Sequence, residues 1–521
     1  MLSIEGNISK LDFFEDVLLR NEQIILTPSA EKKIKESYTF LHEFSSDKII
    51  YGINTGFGPM AQYKVNESDQ IQLQYNLIRS HATGGGKKIS QLHAKSLLLC
   101  RLNTFLQAKS GVHIELIHLM VELLNRNIIP VIYEHGGVGA SGDLVQLAHL
   151  ALALIGEGEV EYNGEVCDAK EVFEKEQLKP LQIHLREGLA LLNGTSCMTG
   201  IGAVNLLQAY KLLDWVVIGS ATINEVVSSF DDYFSEELNA AKTHQGQHDI
   251  AGMIRTLVED SQLIRKRENV LYQDEAQSIA VFQDKVQEYY SIRCVPQILG
   301  PILETLREVE KVVLNEANSV SDNPIICSKT ENVYHGGNFH GDYVSLAMDK
   351  LKIVMTKLSM LMDRQLNYLF NHKLNNILPP FINHGTLGLN FGMQGAQFPV
   401  TSTVAENQSI SFPNYVHSIP NNNDNQDIVS MGTNSALLTK KVIENSFEVV
   451  ATYQLSIAQA VSYLKIQDKM DPKLNSVYEL VCGVVPPFKE DYPIFKDLRK
   501  LKEVLSAENT AQFFKQVAKE I

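Results

Sequence analysis

The sequence predicts a mainly α-helical protein: a bundle of long helices, with a smaller loop-rich N-terminal helical domain that carries few short strands. Three observations support this. Apolar residues recur at helical spacing over long segments, as in Leu351, Val354, Met355, Leu358, Leu361 and Met362. Strand-like stretches are scarce, and the clearest surrounds Asn163-Gly164. Glycine clusters at 51–58 and 136–142, where a regular helix is not expected to continue.

Composition narrows the function classes. A chain of 521 residues, 44% hydrophobic and 21% charged, is long enough for a large core and ordinary for a soluble globular protein. Its formal net charge of -15 disfavours nucleic acid as a partner, since phosphate binding needs concentrated Lys and Arg. The cysteines, Cys100, Cys167, Cys197, Cys294, Cys327 and Cys482, lie far apart. They suggest neither a disulfide framework nor a metal site, which fits a reducing cytoplasm. The opening Met1-Leu2-Ser3-Ile4-Glu5-Gly6 lacks a basic-then-apolar pattern, so no signal peptide is expected. The most apolar helix, around 144–155, is interrupted by Gln146 and His149 and is too short to span a bilayer, so no membrane partner is expected.

Taken in order, residues 1–200 form the expected N-terminal domain. Ser29 suits the cap of a helix bearing Ile34, Tyr38 and Leu41, and Ser90 that of one bearing Leu97, Leu98 and Leu102. Between them, Tyr51-Gly52-Ile53-Asn54-Thr55-Gly56-Phe57-Gly58-Pro59 reads as a loop. In His135-Gly136-Gly137-Val138-Gly139-Ala140-Ser141-Gly142-Asp143, Asp143 suits the cap of an apolar helix ending near Gly156, so Ser141 stands at a loop-to-helix junction. Val160 to Val166 reads as a hairpin, because Asn-Gly fits a type I′ turn. Residues 201–521 form the expected bundle, with long helices from Asp342 to Asn371 and from Ser435 to Lys465. Its methionines read as core filler.

The glycine-rich serine loop admits several chemistries. A phosphate cradle would want GxxxxGK[ST], which is absent, and Asp143 sets negative charge where phosphate would sit. A nucleophile elbow needs G-x-S-x-G, but Gly139-Ala140-Ser141-Gly142-Asp143 lacks the last glycine. A tight turn feeding a buried helix accounts for the motif taken alone.

Gly139-Ala140-Ser141-Gly142-Asp143-Leu144 resembles the signature of the aromatic amino acid ammonia-lyases, the histidine, tyrosine and phenylalanine ammonia-lyase family. Further motifs follow in the family's order, from the Tyr51 loop to Asp427. The resemblance implies that Ala140, Ser141 and Gly142 cyclise and dehydrate to 4-methylideneimidazol-5-one (MIO), an electrophile. A side chain at residue 142 would hinder its amide from reaching the Ala140 carbonyl. Many members continue Asp-Leu-Ala-Pro where this chain has Leu144-Val145-Gln146.

The other assignments come from the same resemblance. Tyr51 is implied as acid/base, Asn193 as the polar residue at the cofactor, and Tyr290 as a catalytic neighbour. Within Gln287-Glu288-Tyr289-Tyr290-Ser291-Ile292-Arg293, Gln287 is implied at the substrate and Arg293 as the grip on its α-carboxylate, for which a guanidinium fork is apt. Asn323 is implied toward substrate, Phe339 beside the MIO, and Asn422, Asn425 and Gln426 along the site. Ser80-His81 and Glu406 match histidine lyases, yet the whole chain most resembles bacterial tyrosine ammonia-lyases. The expectation is therefore elimination of ammonia from L-tyrosine to p-coumarate. Histidine ammonia-lyase is the alternative and an MIO 2,3-aminomutase a further one. A homotetramer sharing its active sites, with the Tyr51 loop supplied by a neighbour, is also implied.

Overall fold

The protein, a computed structural model, is described over residues 1–272, 281–282, 285–508 and 510. It is mainly helical with short strands, as expected, and comprises two compact units. The first takes Met1–Leu207, Glu308–Lys350 and Pro413–Lys440; the second takes Gln208–Arg307, Leu351–Phe412 and Lys441–Ile521.

In the first unit, the strands Leu2–Ile4 and Ile24–Leu26 pair in parallel ahead of the helix Pro28–Phe44. Thr27 caps that helix, its Oγ1 accepting the Ala30 N–H at 3.1 Å. The expected cap was Ser29, but Pro28 takes the first helical position, where a missing N–H costs nothing. The helix Gln91–Leu106 follows Ser90 as expected, although the Ser90 hydroxyl bonds His93 Nδ1 at 2.6 Å instead of the backbone. Every residue from His93 to Leu106 is buried, so this helix lies in the unit's core. Strands Glu159–Tyr162 and Glu165–Asp168 pair antiparallel, with Asn163 at φ 52° and Gly164 at φ 83°, the left-handed pair of a type I′ turn. Ile129–Pro130 adds a third strand.

The long helices are Ser196–Val226, Val295–Ala317, Asp342–Phe370 and Gly432–Leu464. The last two lie within a few residues of the expected spans. In the second unit, Leu351, Met355, Leu358, Leu361 and Met362 are buried as the stripe predicts, and Val354 is half-buried. Some polar groups in that core are paired: Gln365 Nε2 donates to Ser220 Oγ at 3.0 Å, and Trp215 Nε1 to the Leu505 carbonyl at 2.9 Å. By length and hydropathy alone Ser196–Val226 is apolar enough to cross a membrane, and 72% of its most apolar window is buried in the protein, as in a core helix.

Candidate active site

Ser141 is held from several directions within the first unit. Gly139 and Gly142, at φ 76° and 75°, carry the chain through left-handed turns on either side of it. A Cβ on Gly142 would lie 2.0 Å from the Gly194 carbonyl oxygen, so only glycine fits there. That same oxygen accepts the Asp143 N–H at 2.7 Å. Asn193 Nδ2 donates to the Ser141 carbonyl at 2.9 Å, and Gln426 Nε2 donates to the Ser141 hydroxyl at 3.0 Å. His340 Nδ1 lies 3.4 Å from the Ala140 carbonyl, with His340 Nε2 held 3.1 Å from Asp342.

Asp143 begins the helix Leu144–Leu154 but makes no side-chain bond to it. Its Oδ2 instead accepts the N–H groups of Cys197 and Met198, each at 2.9 Å, capping Ser196–Val226, while Oδ1 accepts the Thr433 hydroxyl. Burial pushes the Asp143 carboxyl up to about 6, against these hydrogen bonds and the Arg101 charge. Gln146 ties its helix to the Tyr133–His135 strand through the Tyr133 and Glu134 carbonyls, at 3.3 and 3.2 Å.

Gln426 is delivered by a tight turn. Asn421 and Gln426 exchange backbone bonds at 3.2 and 3.3 Å, and Asn422, Asn423 and Asp424 all take positive φ. Asn and Asp tolerate that conformation best among residues with side chains, which explains the run. Asn422 and Asn425 are exposed on this turn. The Tyr51 loop meets it: a Cβ on Gly58 would lie 3.0 Å from Asn422 Nδ2. Within one chain, this loop therefore lies against the Asn421–Gln426 turn. The Gly58 N–H donates to the Tyr51 phenol oxygen at 3.0 Å, which leaves the phenol's own proton for another acceptor.

Three groups that the sequence reading missed position these side chains. Gln74 bridges the Gly52 carbonyl and the Leu189 N–H, each at 2.9 Å, tying the Tyr51 loop to the helix Glu187–Leu192 that precedes Asn193. Arg101, fully buried, donates to the Asn193 carbonyl at 2.8 Å. Arg186 forks onto Asp322 at 2.9 and 3.1 Å and donates to the Asn323 carbonyl at 3.0 Å. Asn323 Oδ1 accepts the Gly336 N–H at 2.9 Å and so anchors the run to half-buried Phe339. Only Arg101 carried a signal, as an arginine within the apolar run of the helix Gln91–Leu106.

At the end of the helix Gln70–His81, His81 Nδ1 lies 2.9 Å from the Leu77 carbonyl, with the Ser80 hydroxyl 3.1 Å away. A carbonyl only accepts, so Nδ1 holds a proton and Nε2 of the neutral ring is an acceptor. The remaining expected residues belong to the second unit. Arg293 stacks its guanidinium over the Tyr290 ring at 4.8 Å, and its buried Nε has no partner. Gln287 is exposed. Glu406 accepts from Asn445 Nδ2 at 2.7 Å, with Lys441 Nζ 3.6 Å away.

The pattern that defines aromatic amino acid lyases matches residues 10–482. The tyrosine 2,3-aminomutase of Chondromyces crocatus is 37% identical over 502 residues, covering 95% of this chain and 94% of that protein. The histidine ammonia-lyase of Myxococcus xanthus is 36% identical over 506 residues, covering 97% and 96%. Among solved structures, the tyrosine aminomutase of Streptomyces globisporus matches with a TM-score of 0.94 at 32% identity, covering 100% of this chain and 98% of that one. These relatives overturn the expectation of a tyrosine ammonia-lyase: those named for tyrosine are aminomutases, and the ammonia-lyase is named for histidine. Elimination and isomerisation use the same electrophile and base and differ in whether ammonia is retained. Motifs around Ser141 therefore do not separate them.

Proposed function

Because the chain belongs to the aromatic amino acid lyase family, we propose that it is a 2,3-aminomutase converting L-tyrosine to β-tyrosine. The observation that carries this reading is the near full-length match to tyrosine 2,3-aminomutases. The reaction removes the α-amino group and a β-proton, then returns ammonia to the β-carbon and a proton to the α-carbon, so nothing is gained or lost overall.

The geometry supports MIO formation at Ala140-Ser141-Gly142. Gln426 places a donor on the hydroxyl that must leave as water, Asn193 places one on the Ser141 carbonyl, and residue 142 has no side chain to block ring closure. An MIO formed there would supply an electrophile for activating the substrate amine. Asn193 keeps a fixed donor where negative charge gathers. Tyr51, with Gly58 on its oxygen, takes and returns the substrate proton. His81 Nε2 suits the substrate phenol, which donates a hydrogen bond. Arg293, stacked on Tyr290, presents its fork to the carboxylate, and Gln287 binds substrate in the same proposal. Asn323, Phe339, Asn422, Asn425 and Glu406 shape the substrate site. The proposal includes a cytoplasmic homotetramer with shared active sites.

Ser80-His81 and the anchored Glu406 favour histidine ammonia-lyase as the second reading, alongside the Myxococcus xanthus relative. Purified protein incubated separately with L-tyrosine and L-histidine decides between them. β-Tyrosine as the main tyrosine product, by chromatography, supports the aminomutase; urocanate formed faster than any tyrosine product supports the histidine reading and sinks the first.

A further inference from the structure

In the first unit, His113, Glu115 and His184 bring one donor atom each to within 4.8 Å of the others. His113 Nδ1 and His184 Nε2 lie 3.7 and 3.8 Å from Glu115 Oε2, and the two imidazole rings pack at 4.5 Å between centroids, tilted by 44°. We propose that these three residues form a divalent transition-metal site, with zinc as the fitting occupant.

Three observations distinguish the cluster from a chance surface grouping. First, among the described residues His184 Nε2 is a buried nitrogen without a hydrogen-bond partner, a group that ordinarily needs one. A cation at this point supplies it. Secondly, the two histidines share one backbone anchor: the buried Glu187 carboxylate accepts the main-chain N–H of His113 on one oxygen and that of His184 on the other, both at 2.7 Å. The Tyr38 ring packs edge-on against both imidazoles, at 5.0 and 6.2 Å. The main-chain positions of both ligands are thus set before a metal arrives, and ring packing limits the imidazoles. Thirdly, the bond that His113 Nδ1 already makes is weak, since it accepts the Glu115 N–H at 3.5 Å, the limit for such contacts. Its lone pair turns to a cation at small cost.

The donor set is two imidazoles and one carboxylate, which zinc binds with a fourth position open to water. Neighbouring donors on a tetrahedral zinc stand about 3.3 Å apart for metal–ligand bonds near 2 Å. The Glu115 side chain is 64% exposed and can adjust its own 3.7 and 3.8 Å spacings, while small rotations of the two imidazoles would bring their nitrogens together. A metal here would clasp the start of the helix Ile114–Asn125 to the stretch that leads into Glu187–Leu192 and on to Asn193.

The test is zinc titration of the full-length protein, stripped with chelator, by calorimetry, and cobalt titration by visible absorption, alongside Glu115→Gln and His184→Gln. Glu115→Gln changes only an exposed side chain, so it reports on the site even if His184→Gln folds poorly. The expected result is one zinc per chain, a tetrahedral cobalt spectrum, a zinc-dependent rise in Tm, and affinity at least about tenfold weaker in Glu115→Gln. Wild type that takes up no zinc, or variants that bind with wild-type affinity because the thiols hold the ion, would overturn the site.

Discussion

Gln426 Nε2 donates to the Ser141 hydroxyl across 3.0 Å, although 285 residues separate the two along the chain. With Asn193 on the carbonyl of the same serine, the two amides bracket the residue that the proposed chemistry consumes. Most of what can be tested follows from that bracket and from the groups behind it.

Gly142→Ala is expected to abolish ring formation. Its methyl would lie 2.0 Å from the Gly194 oxygen, at a φ of 75° that itself costs about 1–3 kcal/mol for a non-glycine residue. Wild type should have an intact mass two waters below that of its sequence, and the variant the full sequence mass. A variant two waters light would contradict the assignment.

Asn193→Ala should fold, cyclise and turn over slowly. Loss of one preorganised donor at a developing charge costs roughly 10²–10³ in kcat. Steady-state isomerisation of L-tyrosine measures it, and a kcat within a factor of about three of wild type would remove Asn193 from the machinery.

Tyr51→Phe separates proton transfer from cofactor formation. General acid–base residues contribute about 10²–10⁴ in rate, so turnover should fall in that range. The two-water mass deficit should persist, because Tyr51 touches Gly58 and not the tripeptide in the contacts described. A variant that loses the deficit would show the phenol acting in maturation instead.

Arg186 and Asp322 are both fully buried and form a two-pronged pair. Asp322→Asn leaves a guanidinium without its counter-charge, and removal of one partner of such a pair costs about 3–5 kcal/mol. Urea unfolding measures the loss. A change below about 1 kcal/mol would show that the Ser110 and Asn323 carbonyls suffice for Arg186.

Asp143 gives a pH prediction. Its folded pKa of about 6 lies above the value near 4 of an unfolded aspartate, so the folded state binds this proton more tightly. The resulting stability is complete below about pH 4 and is lost as pH rises through about 6, at most about 3 kcal/mol. Asp143→Asn removes this titration. The stability of wild type relative to the variant should therefore fall between about pH 4 and pH 7, and a constant difference would refute the shift.

Much of this was legible before any coordinates. Helical stripes such as Leu351 to Met362 mark their own buried face, and Asn163-Gly164 dictates its turn because few other pairs adopt two left-handed residues in succession. Gly142 was read from ring chemistry alone, and Gly194 supplies an independent steric reason. Other features were hidden because they depend on distant partners. Asp143 looks like the cap of the helix it begins, yet caps one that starts some fifty residues later. Thr27 and Ser29 are equally good caps by type, and only the place of Pro28 decides between them. Arg101 and Gln74 act through backbone carbonyls and amides, which no side-chain motif encodes. Aminomutase and lyase differ in how long ammonia stays, a kinetic property without a residue signature in these loops.

The 285-residue separation of Gln426 from Ser141 also bears on biosynthesis. A nascent or truncated chain that ends before the Asn421–Gln426 turn has Ala140-Ser141-Gly142 but lacks the donor on the departing oxygen. On the proposed chemistry, maturation then waits for the chain to reach the Asn421–Gln426 turn, and an incomplete polypeptide stays without its electrophile. A fragment ending at Phe412, kept soluble and weighed, should still contain both waters.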